Sequence, residues 1–216
     1  MTAALSCYGR ALRQAAAGRS TVLQLLDPVH RWPPRRLNPR DWCGDLRSGD
    51  SGMLDRCVGS TLDVGCGPGR LTAALAAAGR PALGVDVSAE AIRQARRRGA
   101  PAHRADVFAA IPDEGSWQHI LLADGNIGIG GDPRRLLARC LELLGPDGDI
   151  LVELDPPGSG TWSGPMLLRH DERTSQPFLW AVVAADDLPA LAEQAGLSAL
   201  EFWGEAQRWF ARLART

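Results

Sequence analysis

The stretch Leu62-Asp63-Val64-Gly65-Cys66-Gly67-Pro68-Gly69-Arg70-Leu71-Thr72 decides how this chain folds. Thr61 to Val64 reads as a buried strand ending in Gly65, and Arg70 to Ala78 as a helix stopped at Gly79. Glycines at alternate positions between a strand and a helix let the backbone turn tightly and approach a ligand more closely than a Cβ would permit. The spacing is G-x-G-x-G, not the G-x-G-x-x-G with which a dinucleotide loop cradles a pyrophosphate. Asp63 stands two positions before the first glycine, where a carboxylate would repel a pyrophosphate but suit an ammonium group.

Outward from this loop the chain alternates short strands with longer helices. Pro81 to Val87 reads as a second strand, followed by Ser88 as an N-cap and a helix ending at Gly99. Strands are expected over Ala102 to Ala105, Trp117 to Ala123 and Asp149 to Leu154. Asp132-Pro133 opens a helix over Arg134 to Leu144. Further on, Met166 to His170 and Phe178 to Val183 flank a polar turn as a hairpin or extended excursion, and Asp187 to Ala195 is helical. Ser198 to Trp203 and Arg208 to Leu213 then form an antiparallel pair turning at Gly204-Glu205. The expected fold class is α/β: a seven-stranded, mostly parallel sheet with an antiparallel C-terminal hairpin and helices on both faces. Residues 1–59 differ, with eight arginines against four aspartates up to Asp50 and a proline-rich stretch from Arg31 to Arg40 that excludes regular helix or central strand. Helices are expected on either side of it, over Leu5 to Ala17 and Gly44 to Cys57.

Composition narrows the function. The 216 residues carry a formal net charge of -1 and are 45% apolar, which fits one globular domain. All 24 basic residues are arginines, so a Schiff-base, phosphate-loop or general-base lysine is excluded; the same bias points to a GC-rich bacterial genome. Five cysteines without a C-x-x-C pair predict reduced thiols and no metal site. With no apolar leader and no run long enough to span a membrane, a cytoplasmic location is expected. The near-neutral charge argues against nucleic acid as a partner.

The set Asp63, Gly65-x-Gly67-x-Gly69, Asp86 and Asp106 resembles the class I S-adenosylmethionine-dependent methyltransferases. The resemblance is close over Ser60 to Asp155 and only topological from Ala185 onward. It implies a Rossmann-like fold with S-adenosyl-L-methionine as cofactor, held by Asp63, Gly65, Cys66, Gly67, Gly69, Asp86, Val87, Asp106, Val107 and Ala123. Asp86, at the end of the second strand, would accept from both ribose hydroxyls, because its two oxygens match a vicinal diol. Asp106 would cap the adenine amino group beside Val107. Asp63 would anchor the ammonium end, directly or through water, and Ala123-Asp124 would face the transferable methyl. The plain alternative, a simple turn with helix-capping aspartates, accounts for one of these aspartates and poorly for all three.

The acceptor leaves a weaker trace. Nucleic-acid amino-methyltransferases carry [DN]-P-P-[YFW] after the fourth strand; here Asp124-Gly125-Asn126-Ile127 stands there, and Asp155-Pro156-Pro157 follows the fifth strand with Gly158 in the aromatic's place. Asp124 is a candidate contact to substrate or cofactor, or a cap of the glycine-rich turn. Of four histidines His170 is the candidate general base. Arg31, Arg35, Arg36 and Arg40 are either an anion clamp or surface charge on a proline-stiffened lid, and the arginines of 93–98 read as a solvated face. One or two of Trp32, Trp42 and Trp162 are expected in an aromatic-friendly pocket.

The reading is therefore a methyltransferase acting on a small-molecule substrate through an O, N or C atom, with residues 1–59 as lid and 60–216 as the cofactor-binding domain, monomeric or homodimeric. A non-catalytic cofactor-binding protein, a nucleic-acid methyltransferase and an NAD-dependent oxidoreductase are the alternatives.

Overall fold

The computed structural model describes residues 2–216. The chain opens with helix α1 (Thr2–Ala16), a short antiparallel pair β1 (Leu23–Leu26) and β2 (Arg35–Leu37), and helices α2 (Arg40–Cys43) and α3 (Asp50–Arg56). Only α3 falls within the helix expected over Gly44 to Cys57: Gly44 caps α2, which lies before that range, and Gly49, in the left-handed region at φ 92°, starts α3. Strands inside residues 1–59 were not foreseen, although β2 is the edge strand the prolines permit.

The alternating part follows as read: β3 (Thr61–Val64), α4 (Arg70–Ala77), β4 (Ala82–Asp86), α5 (Ala89–Arg97), β5 (Ala102–Arg104) and β6 (Trp117–Leu122). A 3₁₀ turn over Asn126–Gly128 leads to α6 (Pro133–Leu143) and β7 (Leu144–Leu154). Both expected caps are present. Ser88 Oγ accepts from Ala91 N at 3.3 Å and Asp132 Oδ1 from Arg135 N at 3.0 Å, with Pro133 at the first helical position where no N–H is needed. Then come β8 (Trp162–His170), β9 (Arg173–Thr174), β10 (Phe178–Val182), α7 (Leu188–Gln194), β11 (Leu197–Glu205) and β12 (Arg208–Arg215).

Seven strands form one sheet in the order β11-β12-β7-β6-β3-β4-β5, in which β12 alone runs against the others, antiparallel to both β7 and β11. All four residues of β3 are buried, as befits a parallel strand covered on both faces. One face packs Leu136, Leu137 and Leu143 of α6 and Leu188 of α7 over Ile120, Ile150 and Val152. The other packs Met53 of α3 and Leu71 and Leu75 of α4 over Leu121, Leu151 and Phe210. The terminal hairpin turns at Ala206-Gln207, not at Gly204-Glu205. Both turn residues have positive φ, 51° and 62°, and Gly204 lies in the ladder opposite Trp209. A two-residue turn with positive φ at both positions matches the twist of the strands.

A second, antiparallel sheet has the order β10-β8-β1-β2, with β9 paired to β8. It joins the N-terminal pair to the excursion after β7, which is the expected hairpin widened by β1. It docks beside the glycine-rich segment after β6, where Ile129 bridges to Trp180. A Cβ on Gly128 would run into the Ala181 carbonyl and the Trp180 ring, so the docking needs glycine there. Among the described residues no helix is long and apolar enough to cross a membrane.

Candidate active site

A cavity of about 550 Å³ lies where the two sheets face each other. It opens at the C-terminal ends of β3, β4 and β6, the point where the strand order reverses and α/β sheets bind their ligands. Every residue assigned from sequence to the cofactor lines it except Gly69: Asp63, Gly65, Cys66, Gly67, Asp86, Val87, Asp106, Val107 and Ala123 are on its wall, and so is Asp124. Gly69 lies behind the loop as the cap residue of α4. There a Cβ would stand 2.8 Å from that of Ala95, so its role is close packing against α5.

The loop gains its shape from Gly65, Gly67 and Gly69, all at positive φ of 72°, 55° and 77°. It is tied to Asp86, whose Oδ2 accepts from Gly67 N at 3.0 Å and Oδ1 from Ser88 N at 2.7 Å. Burial pushes the Asp86 carboxyl up to about 6, against those two backbone donors. Asp63 is held by Thr72, whose Oγ1 donates to Oδ2 at 2.6 Å, and burial raises it to about 7 despite that bond. Asp106 is exposed, its Oδ1 accepting from Phe108 N at 3.0 Å. Asn126 Nδ2 donates to both Val64 O and Gly65 O at 2.9 Å, fastening the segment after β6 to the glycine loop.

Asp124 is neither a turn cap nor a free base. It sits in the left-handed region at φ 53°, and its N–H donates to Glu153 Oε2 at 2.6 Å. Its carboxylate accepts from Arg70 Nη2 at 2.6 Å and Arg47 Nη1 at 3.2 Å. Arg70 also pairs with buried Asp50, which accepts from Arg208 Nη1 at 2.8 Å, and Arg208 forks onto Glu153 with both bonds at 2.8 Å. Three arginines thus balance three carboxylates under the cavity. One donor in the network, Arg70 Nε, is buried without a partner.

The opposite wall is apolar: Leu23, Leu25, Leu37, Leu168, Phe178 and Trp180 come from the second sheet. Phe178 and Trp180 meet edge to face at 6.3 Å. At its rim Arg35 forks onto Asp155 at 2.8 and 3.0 Å, joining β2 to the end of β7. From α1, Tyr8 reaches over the glycine loop, and a Cβ on Gly67 would be 3.1 Å from its hydroxyl. Its ring meets Trp42 edge-on at 5.7 Å, and burial, with the acids nearby, pushes its phenol well above the ordinary value.

His170 is not in the site. It is fully buried behind β8, with Nε2 2.8 Å from Thr21 Oγ1, and burial lowers its pKa. Pairing of β8 with β1 through Leu23 opposite His170 is what buried it. Of the arginines at 31–40 only Arg35 lines the cavity; Arg31 pairs with Asp27 and Arg40 holds the Gly18 carbonyl. Arg93 pairs with Glu90, and Arg96 and Arg98 hold backbone carbonyls. Trp42 is on the wall, whereas Trp32 and Trp162 stack on each other. Sequence reasoning missed Tyr8, Trp180 and the Asp50–Arg70–Arg208–Glu153 network. A buried acid in α3 and a buried arginine in β12 are ordinary surface residue types until tertiary structure joins them.

Strand order, switch point and glycine loop define a Rossmann-like ligand-binding domain. Residues 61–148 match the family model of a methyltransferase domain. The ubiquinone biosynthesis O-methyltransferase of Aromatoleum aromaticum is 31% identical over 129 residues, which are 57% of this chain and 51% of that protein; the match spans about half the length of that relative. A methyltransferase from Bacteroides fragilis, solved with S-adenosyl-L-homocysteine, superposes with a TM-score of 0.79 at 21% identity, covering 100% of this chain and 97% of that one. The 1,6-didemethyltoxoflavin-N1-methyltransferase of Burkholderia thailandensis gives 0.56 at 20% identity, with 77% and 76% covered. Residues 61–148 thus carry the pattern of a methyltransferase domain, on a fold that the chain shares with these solved methyltransferases.

Proposed function

We propose that the protein transfers a methyl group from S-adenosyl-L-methionine to a small-molecule acceptor. The observation that carries this is the convergence of Asp63, Asp86, Asp106 and the bare backbone of Gly65 to Gly67 on one wall of a single cavity, opposite an apolar wall. The residues fit the cofactor: Gly65 and Gly67 line the cavity, and the three acids suit an ammonium, a ribose diol and an adenine amine. When bound, the cofactor supplies a methyl on a sulfonium; the acceptor's lone pair takes it as the electrons of the S–C bond return to sulfur.

The chain's own work is alignment. Asp86 keeps one lone-pair direction on each oxygen for the ribose hydroxyls while the other serves Gly67 and Ser88. Asp63 faces the ammonium group, Asp106 the adenine edge, and Val87 and Val107 flank the ring. Arg70, though its terminal nitrogens are held by Asp50 and Asp124, is the cation on this wall suited in charge to the cofactor's carboxylate. Tyr8 and Trp42 make residues 1–59 a lid over the loop, while the antiparallel sheet covers the acceptor and keeps water out. Holding two reactants in line in this way is worth several kcal/mol, about 7–11 at best.

Five free cysteines support a reducing, cytoplasmic setting for this chemistry, with a monomer or homodimer as the working form. Calorimetry with S-adenosylhomocysteine and with NADH tests the reading. Binding of the first alone is expected, and binding of NADH alone would overturn it.

A further inference from the structure

The rim of the apolar wall carries a charge arrangement that the methyltransferase reading, on which this inference rests, does not by itself require. Six acids line the cavity, Asp63, Asp86, Asp106, Asp124, Glu153 and Asp155, against two arginines, Arg35 and Arg70. The first three face the part assigned to a cationic cofactor, and Asp124 and Glu153 are matched by the arginines beneath them. That leaves Arg35, on the edge strand β2, as the cation of the acceptor half. Both ends of its guanidinium fork are taken by Asp155, and the pair is fixed between the two sheets.

An acceptor entering between Leu25, Leu37, Leu168, Phe178 and Trp180 leaves its water behind, and a charged group pays for that loss unless it is paired. An anion or a cation entering there finds its partner at the rim already taken, Arg35 by Asp155 and Asp155 by Arg35. We propose that Asp155, by occupying Arg35, sets this half of the cavity for a flat, mostly apolar, uncharged acceptor whose polar edge lies at the Arg35–Asp155 pair. Asp155 is then a specificity-determining residue: its carboxylate decides the charge of the acceptor, and removing that charge frees a bidentate arginine for a carboxylate ligand.

Three probes of one shape read this directly: 2-naphthol, 2-naphthoate and 2-(aminomethyl)naphthalene, titrated at pH 7 into the full chain with S-adenosylhomocysteine present and followed by calorimetry. The wild type is expected to bind 2-naphthol at least about tenfold more tightly than either charged probe. In Asp155→Asn, 2-naphthoate should gain about tenfold while 2-naphthol changes less than about threefold. A gain of binding cannot come from a misfolded variant. Equal or tighter binding of a charged probe by the wild type, no binding of any of the three, or no gain of 2-naphthoate in Asp155→Asn overturns the assignment. Failure of S-adenosylhomocysteine to bind overturns the methyltransferase reading instead, and the three-probe comparison repeated without it still decides the role of Asp155.

Discussion

The two walls of the cavity face each other and are made in opposite ways. The polar wall is a set of backbone turns and carboxylates at the ends of β3, β4 and β5, each placed by the strand it terminates and locked by a short hydrogen bond, such as Thr72 to Asp63 at 2.6 Å. The apolar wall is side chains standing on a small sheet whose strands come from both ends of the chain, β1 and β2 from one and β8 to β10 from the other. Chemistry shared by all users of one cofactor can be carried by fixed main-chain geometry, which tolerates few residue types. An acceptor peculiar to one enzyme is better served by side chains on a separate layer, where exchanging leucine for another apolar residue costs little. Arg35–Asp155 ties the two layers at the rim, whereas the six-charge network beneath fastens α3 and α4 to the ends of β6, β7 and β12 under the polar wall.

The sharpest way to break the comparison is at that network. Asp50 is fully buried and accepts from Arg70, Arg208 and the Arg47 N–H. Asp50→Ala leaves three buried or half-buried arginines facing two carboxylates, with Arg70 held by Asp124 alone and Arg208 by Glu153, and a loss of about 3–5 kcal/mol is expected in urea unfolding. A loss under about 1 kcal/mol would show that the floor of the polar wall is held by apolar packing instead.

Next in size is the polar wall itself. Asp86→Ala removes the acceptor of Gly67 and Ser88 and the one we propose for two ribose hydroxyls, and should weaken S-adenosylhomocysteine binding about 100-fold or more by calorimetry, hydrogen bonds to a charged group being worth about 1.5–3 kcal/mol each. Binding of 2-naphthol should move far less. If both ligands weaken alike, the walls are not separable.

Gly128→Ala tests the seam from the other side. The new Cβ meets the Ala181 carbonyl and the Trp180 ring, both on β10. A stability loss of about 1–3 kcal/mol is expected, with 2-naphthol affinity falling more than that of S-adenosylhomocysteine. The reverse order would assign the glycine-rich segment to the cofactor and not to docking of the second sheet.

The same division explains what could be read from the chain. The polar wall was legible because its determinants are local: eleven residues hold the glycine loop, and Asp86 and Asp106 follow strands marked by their own caps and turns. The apolar wall was not, because its contacts join Thr21 to His170 across 149 residues, and the network joins Asp50 to Arg208 across 158. His170, beside a polar turn, reads as exposed until β1 covers it. In the glycine-rich turn after Asp124 nothing local marks Gly128 as the place where β10 approaches. At the C-terminal hairpin Gly204 marked the wrong turn, because the register of Trp209 against Gly204 carries the ladder on to Glu205 and leaves Ala206-Gln207 to turn.

The smallest expected effect concerns pH and separates the walls without any mutation. Burial raises Asp63 to about 7 and Asp86 to about 6, so the free protein holds protons that the unfolded chain has released, and its stability falls as pH rises from about 4 to about 7. A ligand ammonium facing Asp63 favours the ionised carboxylate, so affinity should rise with pH through this window and level off above it. Between pH 8 and pH 6, S-adenosylhomocysteine is expected to bind about tenfold more weakly at the lower value, each unit below the pKa costing about 1.4 kcal/mol. Asp63→Asn should flatten the part of this profile near pH 7 and lower the plateau. The uncharged probe 2-naphthol, on the wall without a raised carboxyl, should show no slope over the same range. A slope of equal size for both ligands would mean that titration alters the whole cavity, whereas a slope for the cofactor alone places the proton on the polar wall.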